Sequence, residues 1–430
     1  MTDERLVRFL YGDPSGVIRG KQVHAAWLGG AITSGLGLTR AQNAINVLDD
    51  LVPVAGMEPV GEIRIVPDMD TYARLPWLDG VASVFCDQVG HDGLDWGACP
   101  RGFLKRAVER AAAAGLTVQA SFENEFYLAE RTPGGLRPWA DGPVYSSAGL
   151  DRAAHVVNDI VDALVAQGLE VEQAINEYGP GQQEISVRHA GALAAADRQL
   201  RLRDTVRGVA EVGHGLLASF APKPWADGIG SGCHLHFSLW DGEENVMAAV
   251  DDPFALSPTA RAFLAGVLHH LPALVALTCP SYLSYDRLRP SAWAGSTVSW
   301  GFDNREAALR IASPFRGRER ASANAELKAC DGSSNPHLAL GGLILSGLDG
   351  LSRGMELPPP AAHDPATLPG LRPLPATQLD ALAALETDPV LMDGLGDLLG
   401  RCILATRRTE YARCVQMGDE AVRAVTFAIF

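Results

Sequence analysis

The chain has 430 residues, 47% of them hydrophobic and 20% charged, with a formal net charge of −15. That length holds a large domain plus a small one, and the composition is that of a globular enzyme rather than a disordered chain. The excess of acid argues against nucleic acid or an anionic membrane as the main partner, while leaving room for anionic substrates at a local site.

The N-terminus, MTDERLVRFL, has no basic segment leading into an apolar run, so no export signal is read there. RLVRFLY and GVIRGKQV flank the turn GDPSG and predict a hairpin. GEIRIVPD and GVASVFCDQ follow as strands. The turn-rich stretch HDGLDWGACPRG (91–102) predicts a boundary between a small α+β unit over 1–97 and a larger unit over 98–430. The larger unit opens with a helix, FLKRAVERAAAAGL, ended by Gly115. SFENEFYLAE (121–130) alternates as a strand. A helix over 149–168, the loop NEYGPGQQE, the strand EISVRH and an alanine-rich helix over about 191–217 come next. The glycine-led strand GSGCHLHFSLW, a helix near 257–276 and strands at TVSWGF, AALRIA and NAELKAC complete the pattern. The apolar run LALGGLILSGL (338–348) is too short and too broken by glycine to span a bilayer. The proline-rich stretch 357–376 is expected to be a surface loop. Seven cysteines form no CxxC pair, which fits a reduced, cytoplasmic, soluble chain. No internal repeat is visible.

Four segments carry chemistry. Alternation puts Glu123 and Glu125 on one face of their strand, about 6.5–7 Å apart, where like charges repel unless something positive lies nearby. Glu177 and Glu184 bracket YGPGQQ, whose glycines and proline let the chain fold back. His234 and His236 share one face of a strand, and Glu326 lies in another. Five carboxylates and two imidazoles suit hard divalent cations. Each signal has a plainer alternative: a solvated strand face for the glutamate pair, a structural role for the histidines, a simple turn for GPG. Arginines gather in SYDRLRP (Arg287, Arg289), DNREAALRI (Arg305, Arg310) and FRGRER (Arg316, Arg318, Arg320). They form surface ion pairs or clamp phosphate and carboxylate groups. In an extended strand Arg305 and Arg310 fall on opposite faces unless the chain bends. Acids suited to divalent metals beside such arginines suggest phosphoryl transfer from a nucleotide, without a Walker-type loop.

In order along nearly the whole chain, YGDPSGVIRGKQV, IVPDMDTYARLPW, SFENEFYL, NEYGPGQQEIS, GSGCHLHFSLWD, SYDRLRP, WGFDNREAALRI and NAELKACDGSSNPHLALGGLILSGLDG resemble the glutamine synthetase family, in particular its γ-glutamyl-amine ligase branch. The resemblance implies a small β-grasp-like N-terminal domain and a larger α/β catalytic domain. It also implies two stacked hexameric rings with sites between neighbours. Carried over by position, it implies that Glu125, Glu177 and Glu184 hold one Mg²⁺ or Mn²⁺ while Glu123, His234 and Glu326 hold another. His236 and Ser238 fall at the nucleotide phosphates, Arg287 at the α-carboxylate of glutamate and Gly230 beside its amino group. Arg305 and Arg310 surround the transferred phosphoryl group, and Lys328 joins the substrate residues. The implied chemistry is phosphorylation of the γ-carboxylate of glutamate by ATP, followed by displacement of phosphate by an amine.

The departures from the family cluster where the nucleophile binds. No DGSS-type loop is present near SGLGLTRAQ (34–42), and Asp49 and Asp50 are the nearest acids. The flap glutamate expected six residues after Arg287 is Trp293. An indole offers an apolar surface and a π-face to an alkylamine, whereas ammonium needs acceptors. The plainer alternative is a buried packing tryptophan. Asn324 and Lys328 stand where arginines are expected, and the proline-rich stretch has no tyrosine for adenylylation. The expectation is a γ-glutamyl-amine ligase; an ammonia-using glutamine synthetase and a non-catalytic assembly protein are the alternatives.

Overall fold

The computed structural model describes residues 4–139, 142–249 and 251–430. The expected hairpin is present: β1 (Leu6–Gly12) pairs antiparallel with β2 (Ile18–His24). Its turn is held by Asp13, whose carboxylate accepts the Ser15 and Val17 N–H groups at 2.9 Å each and meets Arg19 Nε at 2.6 Å, the usual way an aspartate closes a turn. Helix α1 (Leu28–Ser34), β3 (Leu36–Thr39), β4 (Glu62–Pro67), β5 (Ala73–Arg74) and β6 (Val81–Val89) complete the small unit. Strand order is β2-β1-β6-β4-β3, with β1 parallel to β6 and β5 added beside β6. This is the grasp-like sheet that the resemblance implied.

The large unit begins with α2 (Pro100–Ala113) and the 16-residue strand β7 (Thr117–Thr132), followed by β8 (Gly135–Pro138) and α3 (Ser147–Ala166). Next come β9 (Val171–Asn176), β10 (Gln182–Val187), β11 (Ala190–Gly191), α4 (Ala192–Gly208) and β12 (Leu217–Ser219). Strands β13 (Cys233–Asp241) and β14 (Glu244–Asn245) precede α5 (Pro258–Thr278) and the single turn α6 (Ser284–Arg287). Strands β15 (Trp300–Phe302), β16 (Leu309–Ala312) and β17 (Asn324–Leu327), with α7 (Glu319–Ser322), finish the sheet. Helices α8 (Pro336–Arg353), α9 (Gln378–Glu386), α10 (Pro389–Leu395), α11 (Asp397–Met417) and α12 (Asp419–Ile429) close the chain. The main sheet order is β15-β16-β17-β13-β7-β10-β9.

Helices α5 and α8 lie against each other behind this sheet. Among the described residues, α5 alone is long and apolar enough to cross a bilayer, and it is mostly buried in the core. The apolar run 338–348 became the core of α8. Gly266 and Gly350 let the two backbones touch: a Cβ on Gly266 would lie 2.2 Å from Ser346 O, and one on Gly350 2.2 Å from Ala262 O. Arg101 fastens the two units together. Its buried guanidinium reaches Asp68 (2.6 Å) and Asp87 (2.8 Å) from the small unit and Asp197 (2.9 Å) from α4.

Two stretches differ from expectation. The alanine-rich helix stops at Gly208, passes through a wide π turn over Val209–Gly213, and releases Leu217–Ser219 to pair with β7. Gly208 sits against Trp77, where a Cβ would be 2.2 Å from the ring, and Gly215 has φ +66°; tertiary contact and a helix-breaking glycine outweigh alanine propensity. Strand β9 was not anticipated, because VEQAIN lacks a clean alternation and is recruited by β10. All seven cysteines are free and buried. The proline-rich stretch runs beside β15, with Ala361 N–H bonded to Trp300 O at 2.8 Å.

A buried histidine ties three helices. His270 of α5 meets Asp388, the N-cap of α10, at 2.6 Å and Asp349 of α8 at 3.0 Å. Burial opposes its charge, but the two carboxylates win and raise its pKa above 6.5. The contribution to stability is therefore complete below about pH 6.5 and fades as pH rises through the higher folded value. The melting-temperature gap between the protein and its His270→Gln variant is expected to be larger at pH 6 than at pH 9. It should amount to about 2 °C or less per kcal/mol in a chain of this size. An equal gap at both pH values would count against the charged bridge.

Candidate active site

Strand β7 holds Glu123 and Glu125 on one face, and the neighbouring strands add to that face by register. Glu184 of β10 lies opposite Glu125, and His234 of β13 opposite Glu123. His236 lies opposite Glu326 of β17, which in turn lies opposite Arg310 of β16. Most of the expected residues thus form a diagonal row across adjacent strands. Glu177 comes from the loop after β9, whose chain reversal is closed by Glu177 N–H to Gln182 O at 2.9 Å. Its carboxylate accepts the Tyr145 hydroxyl at 3.2 Å and the Tyr178 N–H at 3.0 Å.

The charges on this face are crowded. Burial pushes the Glu184 carboxyl up, and Glu123, Glu125 and Glu177 push it further, to about 9. Burial and then Glu125 raise Glu177 as well. Glu123 goes the other way: burial opposes its charge, but His236 and His234 hold it well below the usual carboxylate range. Glu326 has no solvent exposure. It accepts Lys328 Nζ at 2.9 Å and Arg310 Nη1 at 2.8 Å. Burial opposes its charge too, but Lys328, His236 and His234 keep it strongly acidic. An oxygen-rich face so crowded that one carboxyl is driven to hold a proton is chemically matched to divalent cations, whose charge removes the repulsion.

Both histidines face this cluster. His234 Nδ1 lies 3.4 Å from Glu123 and 3.3 Å from Glu326, while its Nε2 accepts from Arg287 Nη2 at 3.2 Å. His236 donates Nδ1–H to the Asn324 carbonyl at 2.8 Å. Its Nε2 lies 3.2 Å from Glu123 Oε1; burial opposes the ring's charge, but Glu123 and Glu326 outweigh it and raise the pKa to about 9. Among the described residues, Glu123, His236 and Glu326 form a set whose ligand atoms all lie within 4.8 Å of one another. The resemblance implied His234 for the metal and His236 for phosphate; both imidazoles lie against the same carboxylates, and His236 is oriented from behind by Asn324.

Around this face stand the other expected residues. Arg287 is 4% exposed. One of its amino groups bonds Lys328 O at 3.0 Å as well as His234, and the other, Nη1, is buried without a hydrogen-bond partner among the described residues. A buried guanidinium edge with an unmet donor is where a carboxylate fits. Gly230 packs on it, since a Cβ there would lie 2.8 Å from Arg287 Cγ and 3.0 Å from Pro222 O. Ser238 continues the β13 face and accepts Trp240 Nε1–H at 2.8 Å. Arg310 is committed to Glu326, while Arg305 is exposed in the preceding turn, so the bend places the two in different settings. Trp293 is 49% exposed with φ +51°, beside Ser291 at φ +59°, and is not a buried packing residue in this chain. Asp49 pairs with Arg19 at 3.4 Å, and Asp50 with Arg413 at 3.5 Å.

Three contributors escaped the sequence. Gln182 Nε2 donates to Glu125 (3.0 Å), Gly230 O (3.1 Å) and Ser231 Oγ (3.2 Å); its place two before Glu184 on the same strand face was the available signal. Burial raises the Glu306 carboxyl, and the nearby backbone N–H groups of Trp293 and Ser291 in the flap oppose that rise. Tyr145, from the loop before α3, gave no signal at all.

Residues 1–96 match the family described as glutamine synthetase N-terminal domain, and residues 97–424 match glutamine synthetase, catalytic domain. The chain is 39% identical over 426 residues to the gamma-glutamylpolyamine synthetase GlnA3 of Streptomyces coelicolor, covering 96% of this chain and 91% of that protein. It is 37% identical over 367 residues to a glutamine synthetase of Halobacterium salinarum, covering 82% of this chain and 80% of that one. A solved structure described as a GmaS/ADP complex superposes with a TM-score of 0.87 at 30% identity, covering 99% of this chain and 97% of that one. The chain belongs to the glutamine synthetase family, a family of ATP-dependent ligases.

Proposed function

We propose that this chain joins an organic amine to the γ-carboxylate of glutamate at the expense of ATP, through a γ-glutamyl phosphate. ATP gives its γ-phosphoryl group to a γ-carboxylate oxygen and leaves as ADP. The amine nitrogen then attacks the acyl carbon, phosphate departs, and the nitrogen loses a proton to become an amide. Two or more Mg²⁺ or Mn²⁺ ions would be held by Glu125, Glu177 and Glu184 and by Glu123, Glu326 and His234, with His236 beside them. When bound they supply positive charge for phosphate oxygens. Arg287 takes the α-carboxylate of glutamate through its free Nη1, Gly230 leaves room beside it, and Lys328 braces Glu326. Ser238, His236, Arg305 and Arg310 serve the phosphate end. We assign the small unit to residues 1–97 and the catalytic unit to 98–430, and propose a cytoplasmic assembly of two stacked hexameric rings.

The observation that carries the amine preference is the half-exposed Trp293 at the position where an ammonium-binding flap carboxylate is expected, together with the absence of acid in 34–42. The similarity to a gamma-glutamylpolyamine synthetase supports the same direction. Phosphate release from ATP, with Mg²⁺ and glutamate, should be driven by one or more members of a panel of mono-, hydroxy- and diamines and barely by ammonium. Turnover with ammonium alone would make this an ammonia-using glutamine synthetase, the activity named for the Halobacterium relative. No turnover with any amine would point to another acid.

A further inference from the structure

Residues 222–231 form a loop between β12 and β13 whose ends are pinned together by Ser231 N–H to Pro222 O at 3.0 Å. Within it, Lys223 Nζ donates to Gly228 O at 2.5 Å and Gly228 N–H to Trp225 O at 3.2 Å. The sheet holds its far end: the Tyr127 hydroxyl donates to Ile229 O at 2.9 Å, and Gln182 to Gly230 O. The near end is held from the opposite side, by the last helix of the chain. Arg423 of α12 donates Nη1–H to Lys223 O at 2.5 Å, and Phe427 meets Trp225 edge-on with centroids 5.3 Å apart. The other amino group of Arg423 donates to Asp286 Oδ2, on the residue immediately before Arg287.

One largely buried guanidinium, with its side chain 11% exposed, therefore bridges two segments that otherwise meet where Gly230 packs against Arg287. The planar fork presents two donors at a fixed separation, so it sets a distance that a single flexible ammonium cannot. We infer that Arg423 is a positioning residue for the acid substrate: it sets the gap between the 222–231 loop and the Arg287 turn, and so aims the free Nη1 of Arg287 at the carboxylate. This inference rests on the glutamate pocket proposed above. Among the described residues the hydrogen bonds of Arg423 go to Lys223 O and Asp286, outside the acidic face, and Arg289, which also pairs with Asp286 at 2.6 Å but is exposed, provides the control.

The test compares the full-length protein with Arg423→Met, Arg423→Lys and Arg289→Met. In Arg423→Met the KM for the acid should rise roughly ten- to hundredfold, the scale of one buried charge-assisted hydrogen bond. The KM for ATP and kcat should stay within about threefold. Arg423→Lys should fall between, and Arg289→Met should match the wild type. Hydrogen exchange gives a readout that assumes no substrate: the Gly228 and Ser231 amides should lose protection in Arg423→Met while those of β7 and β13 keep theirs. Unchanged loop exchange overturns the inference, as does faster exchange throughout the sheet, which marks a merely structural residue. Faster loop exchange with an unchanged acid KM overturns it too. If the wild type turns over with an acid other than glutamate, the glutamate reading fails while the exchange result and the KM split for that acid still decide the role of Arg423.

Discussion

Glu326→Gln is expected to lower kcat by about 10²–10³, the scale for losing one preorganised electrostatic contact, and to remove most of the thermal stabilisation that Mn²⁺ gives the wild type. Glu326 is the one carboxylate of the face with no solvent exposure, and it is shared by Lys328, Arg310 and the two histidines. The swap conserves volume, so it tests charge rather than packing. It leaves two cations with a weaker partner, and complete loss of a partner to a buried charge costs about 3–5 kcal/mol, so the metal-free melting temperature should fall as well. Calorimetric titration with Mn²⁺ well below that temperature separates the two effects. Affinity and turnover within a few fold of wild type would place the cations elsewhere.

Arg287→Met is expected to raise the KM for the acid substrate by roughly 30- to 4000-fold, because truncating one member of a buried charge pair costs about 2–5 kcal/mol. The binding of ADP should change little, since Arg287 contacts His234 and Lys328 rather than the Ser238 end of β13. Arg287→Lys should restore only part of the loss. Lysine keeps the charge but cannot bond Lys328 O and His234 while presenting a second amino edge. Equal losses of acid and nucleotide binding would indicate collapse of the face rather than loss of a carboxylate contact.

Much of the fold was legible because it depends on neighbours in sequence. The β1–β2 hairpin follows from GDPSG, where Asp13 closes its own turn. Helices α2 and α5 follow from FLKRAVERAAAAGL, ended by Gly115, and from the stretch near 257–276. β9 and the early end of α4 were not legible, because β10 and Trp77 decide them from afar. The same division runs through the site. Alternation within one strand puts Glu123 beside Glu125 and His234 beside His236, and the motif order along the chain was enough to identify the family.

The sequence by itself determined which side chains share a strand face, since that is a local periodicity of two residues. Only the tertiary structure decided that Glu184, Glu123, Glu326 and Arg310 meet as one row, because register between strands is set by packing across the whole sheet. It also decided that His236 Nε2 lies against Glu123, that Tyr145 reaches Glu177, and that Arg423, 200 residues from Lys223, holds the 222–231 loop. Those outcomes depend on contacts between segments whose meeting no local propensity encodes.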